Sequence, residues 1–239
     1  MRAIELALVH AKSKIESLMG LNSAHIPKEF LTKILRDENN PRIIDVGCNR
    51  GEFSHQCFNI NPSSQICAFD LHEDLSEFFS AKFNGFDFTF QNVVVSSCEG
   101  DVSVVINREF DRKAHIATES EKSKAITMKQ ATLDSLIKFE GKIKILKIDT
   151  EGSDFDVLTG ATGVLERTDF VIFEVMFRLL INGHTPSETI EFLKSKGFSY
   201  FYRTTKYLGL IEIEGIPPWE VETQNIVASR FQIQKEHRG

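Results

Sequence analysis

The sequence predicts an α/β domain, doubly wound around a mostly parallel sheet, and three observations carry that expectation. From residue 42 onward, apolar runs of strand length alternate with helical patterns. Such alternation implies right-handed crossovers and a parallel sheet covered on both faces. The first strand runs into a glycine turn, Asp45-Val46-Gly47-Cys48-Asn49-Arg50-Gly51. Acidic residues then stand at the carboxyl ends of four strands: Asp45, Asp70, Asp149 and Glu174.

Taken in order, the chain opens with an amphipathic helix over 3–19, where Ile4, Leu8, Ala11, Ile15 and Leu18 recur three or four apart and Gly20 ends the pattern. A second helix starts at Pro27 and places Phe30, Leu31, Ile34 and Leu35 on one face; Pro41 breaks it. Residues 1–40 therefore read as a helical segment packing on the core, and 41–239 as one α/β domain. Strands are predicted at 42–46, 65–69, 86–91, 143–148, 170–175 and 198–202, and helices at 52–58, 73–83, 153–159 and 187–196. The last helix has the clearest start, because Thr185, Pro186 and Glu188 form a capping box with proline at the first helical position; Gly197 stops it. Two stretches depart from the alternation. Residues 92–95 and 101–106 read as a β-hairpin around Glu99-Gly100, and 108–124 as a polar, aperiodic, mobile loop. No repeat or linker divides the chain.

Composition excludes several classes. The 28 Lys and Arg against 34 Asp and Glu leave a net charge of −6, which is no footprint for a phosphate backbone, so no nucleic-acid partner is expected. Of the aromatics, 20 are Phe against three Tyr and one Trp, a bias toward a packed core. The most apolar stretch, 170–181, is broken by Glu174 and Arg178, so no membrane span is expected. Glu5, His10, Lys12 and Lys14 interrupt the N-terminus where a secretory segment would be apolar. Cys48, Cys57, Cys67 and Cys98 are spaced too widely for a metal or redox motif. Free thiols in a cytoplasmic protein are the expectation.

The strand ends carry the candidate site. Gly47 and Gly51 allow a tight turn and close approach of a ligand to backbone. In an open α/β sheet, ligands bind beyond the carboxyl ends of the strands. The spacing is Gly-x-x-x-Gly, not the Gly-x-Gly-x-x-Gly of dinucleotide sites, which disfavours a dinucleotide oxidoreductase. Asp70, 25 residues after Asp45, is placed to accept both hydroxyls of a ribose, or alternatively to cap the next helix. Lys147 and Asp149 share one face of their strand. Clustered acids repel unless a cation sits among them; a metal, a buried lysine and a cationic ligand are the choices. Lys147 and Glu174 read alternatively as a buried ion pair between adjacent strands.

These residues resemble the FkbM type of S-adenosylmethionine-dependent methyltransferase. The resemblance runs through Asp45-Val46-Gly47-x-Asn49-x-Gly51-x-Phe53, Ala68-Phe69-Asp70, Asn92-Val93-x-x-Ser96 before Gly100, and Thr132-Leu133-Asp134. It continues through Leu146-Lys147-Ile148-Asp149-x-Glu151-Gly152 and Val157-Leu158-x-Gly160-Ala161. It spans about residues 43–175, with Asp70-Leu71 where the family usually carries Glu-Pro. It implies a Rossmann-like class I methyltransferase fold with a seven-stranded sheet, S-adenosylmethionine as cofactor, and a cofactor site of Asp45, Gly47, Cys48, Asn49, Gly51, Phe53, Asp70, Leu71, Asn92 and Val93. The cofactor's carboxylate is expected on the N–H groups of the Gly47–Gly51 turn, and its adenine against Leu71 and Asn92-Val93.

Methyl transfer needs an acceptor aligned with the departing sulfur, and a hydroxyl acceptor gains from a base. The candidates are Asp149 first, then Glu151 and Glu174, then His184; His184 and His115 read otherwise as solvated loop histidines. Asp149 with Glu174 as a divalent-cation site is a further alternative. The resemblance implies O-methylation of a sugar, glycan or secondary-metabolite hydroxyl. The segments 108–124 and 208–219 are expected to close over the acceptor, with Trp219 as a platform. A non-catalytic cofactor-binding or scaffold domain of the same fold is the competing reading.

Overall fold

A computed structural model describes residues 26–106, 114–176, 184–205, 209–213 and 223–233. The predicted helix over 3–19, the first part of the 108–124 loop and Trp219 lie outside the described residues. Helix α1 (Lys28–Leu35) buries Phe30, Leu31, Ile34 and Leu35, the face its periodicity assigned. The alternation then unfolds as predicted: β1 (Arg42–Val46), α2 (Glu52–Ile60), β2 (Gln65–Asp70), α3 (Leu75–Lys82) and β3 (Asp87–Asn92). Further on come α4 (Leu133–Leu136), β8 (Ile143–Ile148), α5 (Asp154–Thr159), α6 (Thr162–Glu166) and β9 (Thr168–Met176). The described chain ends with α7 (Pro186–Ser195), β10 (Tyr200–Thr204), β11 (Leu210–Glu212) and β12 (Thr223–Ser229).

These strands make one sheet in the order β11-β10-β12-β9-β8-β1-β2-β3. Strands β3, β2, β1, β8 and β9 pair in parallel, and β12, β10 and β11 join antiparallel. The sheet is thus the expected mostly parallel, doubly wound one, with the short β11 bringing eight strands where seven were expected. Strand order reverses at β1, flanked by β2 and β8, so a crevice opens where the ends of those strands part. Apolar residues of β1, such as Ile43 and Ile44, alternate between two cores, one on each face. The phenylalanine bias is spent there: Phe58, Phe79, Phe83 and Phe88 pack ring on ring under α2 and α3.

The hairpin over 92–106 is not what forms. Strand β4 (Val94–Val95) pairs parallel to β7 (Ile126–Ala131), and β5 (Gly100–Ile106) pairs antiparallel to β7 and to β6 (Ala114–Ile116). A second sheet of order β4-β7-β5-β6 results. Strand β7 lies between β4 and β5, so those two segments pair with it and not with each other. Nor is 114–124 an aperiodic loop: β6 is followed by a 3₁₀ turn (Glu119–Lys124) with a Thr118/Glu121 capping box. Among the described residues no helix is long and apolar enough to cross a membrane.

Candidate active site

Beyond the carboxyl ends of β1, β2 and β8 lies an open cleft. The first sheet contributes Gly47, Asn49, Asp70, Leu71, Asp149 and Glu151 to its walls, and Val93 follows β3. All seven were expected from sequence. The second sheet and the flanking turns add Val94, Val95, His115, Ile116, Thr150 and Ser153, and His72 stands beside Asp70.

The turn after β1 is shaped by contact with β8. Gly47 has φ +69°, and a Cβ there would sit 1.9 Å from the Asp149 carbonyl oxygen. Gly51, at φ +71°, lies against the rings of Phe79 and Phe83, 2.9 Å from where its Cβ would be. Asn49 (φ +44°) and Glu151 (φ +54°) are non-glycine residues in the left-handed region, and both border the cleft. Backbone strain of this kind costs about 1–3 kcal/mol per residue and gathers at functional sites.

The N–H groups of the turn are already engaged. Those of Gly47 and Cys48 donate to the Phe69 carbonyl, that of Gly51 to Cys48, and that of Asn49 to Asp70 Oδ2 at 2.8 Å. A cofactor carboxylate therefore does not find these four donors open, because a turn tucked against β2 must satisfy its own backbone first. Asp70 is a junction. Its Oδ1 accepts from the N–H groups of Leu71 (2.7 Å) and His72 (3.2 Å) and faces the His72 Nδ1 at 2.8 Å. It does not cap the next helix, whose N-cap is Asp74.

Asp45 lies beneath the turn with no exposed surface and takes no part in the cleft wall. It stands directly opposite Lys147 in the parallel register of β1 and β8. Lys147 Nζ lies 3.4 Å from Asp45 Oδ1 and 3.4 Å from Asp149 Oδ2, and donates to the Gly47 carbonyl at 3.0 Å. Ser54 Oγ donates to Asp45 Oδ2 at 2.7 Å. Burial pushes the Asp45 carboxyl up, against the pull of Lys147 and Ser54. Burial would lower Lys147, but Asp45 and Asp149 together hold it above the ordinary lysine value. The cation demanded by the clustered acids is thus in part this lysine. The alternative pairing of Lys147 with Glu174 is not the one formed, because the register sets Lys147 against Ile172 on β9.

Other expected residues sit elsewhere. Cys48 and Phe53 are buried in the helix-side core, and Gly51 faces the phenylalanine cluster. Asn92 donates to the Asp70 carbonyl at 3.0 Å and borders the neighbouring groove rather than the cleft. Glu174 is also absent from the wall. His184 precedes the Thr185 cap of α7 and stacks on Phe155 of α5, ring centroids 4.0 Å apart, which draws it away from the cleft. His115, read as a solvated loop histidine, is instead on β6 and in the wall. Among the described residues no group of three or more His, Cys, Asp or Glu forms a metal site.

Asp154 ties the β8 end to β9. Its Oδ1 accepts from Thr150 N–H (3.0 Å) and Oγ1 (2.5 Å), and its Oδ2 from Glu174 N–H (3.0 Å). Burial nevertheless raises its carboxyl from 3.8 to about 6. The folded state then holds a proton the unfolded state has released, so this group's contribution to stability falls as pH rises from about 4 to 6. Asp154→Ala should remove that slope. It should also cost on the order of 3 kcal/mol at neutral pH by stranding buried donors, as read by urea unfolding over that pH range.

The family described as Methyltransferase FkbM domain matches residues 33–200. None of the curated proteins compared with the chain matches it. Among solved structures, it is similar to the plantazolicin methyltransferase BpumL in complex with SAH, at 11% identity and TM-score 0.48, over 85% of this chain and 82% of that one. A TehB-like SAM-dependent methyltransferase from Corynebacterium glutamicum gives 10% and 0.46, over 95% and 98%. An rRNA methylase from Streptococcus thermophilus gives 11% and 0.46, over 86% and 94%.

Proposed function

The chain belongs to the FkbM methyltransferase domain family and is an S-adenosylmethionine-dependent methyltransferase; from that premise we propose that it methylates a hydroxyl of a sugar, glycan or secondary metabolite. One observation supports the placement of the chemistry above all. The cleft lies at the point where strand order reverses, and its wall holds apolar Leu71 and Val93 together with Asp70, Asp149 and Glu151.

The residues present fit an adenosyl sulfonium. Gly47 lets the turn pack against the Asp149 carbonyl, where a Cβ would sit 1.9 Å away, and so sets the floor of the cleft. Leu71 and Val93 offer apolar surface for adenine. Asp70 Oδ2 accepts one protein hydrogen bond, and a carboxylate oxygen takes two, so a ribose hydroxyl has a place there. Asp149 and Glu151 put negative charge beside the sulfonium. Asp45 acts from below, holding Lys147 and through it the Gly47 carbonyl, so its part in cofactor binding is to position the turn. When bound, the cofactor supplies a methyl group already activated by a positively charged sulfur.

Asp149, about a third exposed, is the strand-end group that orients the acceptor hydroxyl. Fixing such geometry is worth on the order of 7–11 kcal/mol where it is complete. Asp149→Ala should therefore lower turnover about 100-fold while S-adenosylhomocysteine affinity, read by titration calorimetry, stays within a few-fold. Methyl release from labelled cofactor over a panel of sugar and polyketide hydroxyls tests the proposal directly. Transfer to none of them, with the cofactor still bound, would favour a non-catalytic binding domain; tight NAD binding in its place would favour an oxidoreductase.

A further inference from the structure

The second sheet brings a histidine to the cleft that strand-end reasoning passes over. His115 of β6 lines it, and its Nε2 lies 3.2 and 3.3 Å from the two carboxylate oxygens of Glu121. Glu121 is itself fixed, because Thr118 donates to Oε2 from its hydroxyl at 2.6 Å and its N–H at 3.0 Å. Those Thr118 bonds, with the one from His115, lower the Glu121 carboxyl to about 2, so it is an anion at any working pH. An anion at Nε2 calls for a proton on that nitrogen. In the tautomer this selects, the lone pair stays on Nδ1, which makes no hydrogen bond among the described residues.

We propose that His115, oriented by Glu121, is the general base that takes the proton of the acceptor hydroxyl, leaving Asp149 to orient that hydroxyl. The inference rests on the methyltransferase reading above. The hydroxyl proton passes to His115 Nδ1 as the oxygen's electron pair forms the new O–CH₃ bond. The electrons of the broken carbon–sulfur bond stay on sulfur, which leaves as a neutral thioether. Glu121 stabilises the imidazolium from behind, and Asp70, Asp149 and Glu151 favour it from across the cleft; His72, beside Asp70, is the other titratable ring there. An orienting carboxylate, an imidazole and an open nitrogen follow the logic of a base held in one tautomer. An imidazole also suits proton transfer near neutral pH better than an ordinary carboxylate.

Histidine ¹H–¹⁵N spectra test this without an acceptor, with S-adenosylhomocysteine as the probe. The expected result is a neutral His115 carrying its proton on Nε2, a resonance that moves when S-adenosylhomocysteine binds, and a mixed tautomer in Glu121→Gln. In turnover, His115→Gln should lose about 10²–10⁴-fold with S-adenosylhomocysteine affinity within a few-fold, and imidazole should restore part of the loss in His115→Ala. A ring protonated on Nδ1, a resonance indifferent to bound S-adenosylhomocysteine, or undiminished turnover in His115→Gln would overturn the assignment. Failure of S-adenosylhomocysteine to bind would strike the underlying reading instead, and the tautomer of the free protein would still decide whether the base is poised.

Discussion

Gly47→Ala is expected to unmake the cofactor cleft and to weaken the fold in the same stroke. The new Cβ would fall 1.9 Å from the Asp149 carbonyl oxygen and 2.8 Å from its carbon, distances that no side-chain movement relieves because the obstacle is backbone. Asp149 N–H donates to the Val46 carbonyl at 3.0 Å, so the ends of β1 and β8 separate only by giving up that bond. The left-handed φ adds its own penalty of about 1–3 kcal/mol. Together the loss should reach about 4 kcal/mol or more, a fall in melting temperature on the order of 10 °C. S-adenosylhomocysteine affinity should drop at least ~100-fold, since 1.4 kcal/mol is about tenfold. Gly85 provides the control. Its φ is +88° but nothing lies within 4 Å of its Cβ position, so Gly85→Ala should show the conformational cost alone, with affinity unchanged. Wild-type affinity in Gly47→Ala would mean that the cleft does not depend on the contact between turn and strand.

Lys147→Met should be the most damaging change beneath the site. It strands Asp45, whose Oδ1 is buried without a hydrogen bond and meets only the ammonium at 3.4 Å. Breaking a buried pair by removing one partner costs about 3–5 kcal/mol. It also removes the donor to the Gly47 carbonyl, so cofactor affinity should fall with stability. The pH dependence has a definite sign. Burial already raises the Asp45 carboxyl, and without the lysine it rises further. The folded variant then holds a proton that the unfolded chain releases, so Lys147→Met should be least destabilised in acid and lose stability as pH climbs above the ordinary aspartate range. The pair Asp45→Asn/Lys147→Met should recover most of the loss, because two neutral groups replace an orphaned charge. Thermal melts across pH 4–8 read both effects. Equal stability of wild type and Lys147→Met throughout would show that the pair carries no such weight.

The parallel part of the sheet was legible because fully buried strands have no choice of composition. Runs such as Ile143–Ile148 bury apolar side chains on both faces, and glycine and proline punctuate them. The turn after β1 was legible because so few residues tolerate its conformation. The second sheet was not. Strand β7 reads Ile-Thr-Met-Lys-Gln-Ala and is half exposed on both sides, so no alternation marks it and its partners looked like a hairpin closing on itself. His115 was hidden for the same reason, lying in a polar run whose structure comes from pairing with Val105 on the preceding strand.

By itself, then, the sequence determined the alternation of elements, the strained glycine turn and the row of acids along one edge of the sheet, since local conformation and burial are written residue by residue. Which acid faces the cleft was decided only in three dimensions. Asp45 and Asp149 each end a strand beside the same lysine, yet the register of β1 on β8 sinks the first beneath the turn and leaves the second at the surface. A side chain's role depends on what the neighbouring strand places opposite it, and that neighbour is about a hundred residues away along the chain.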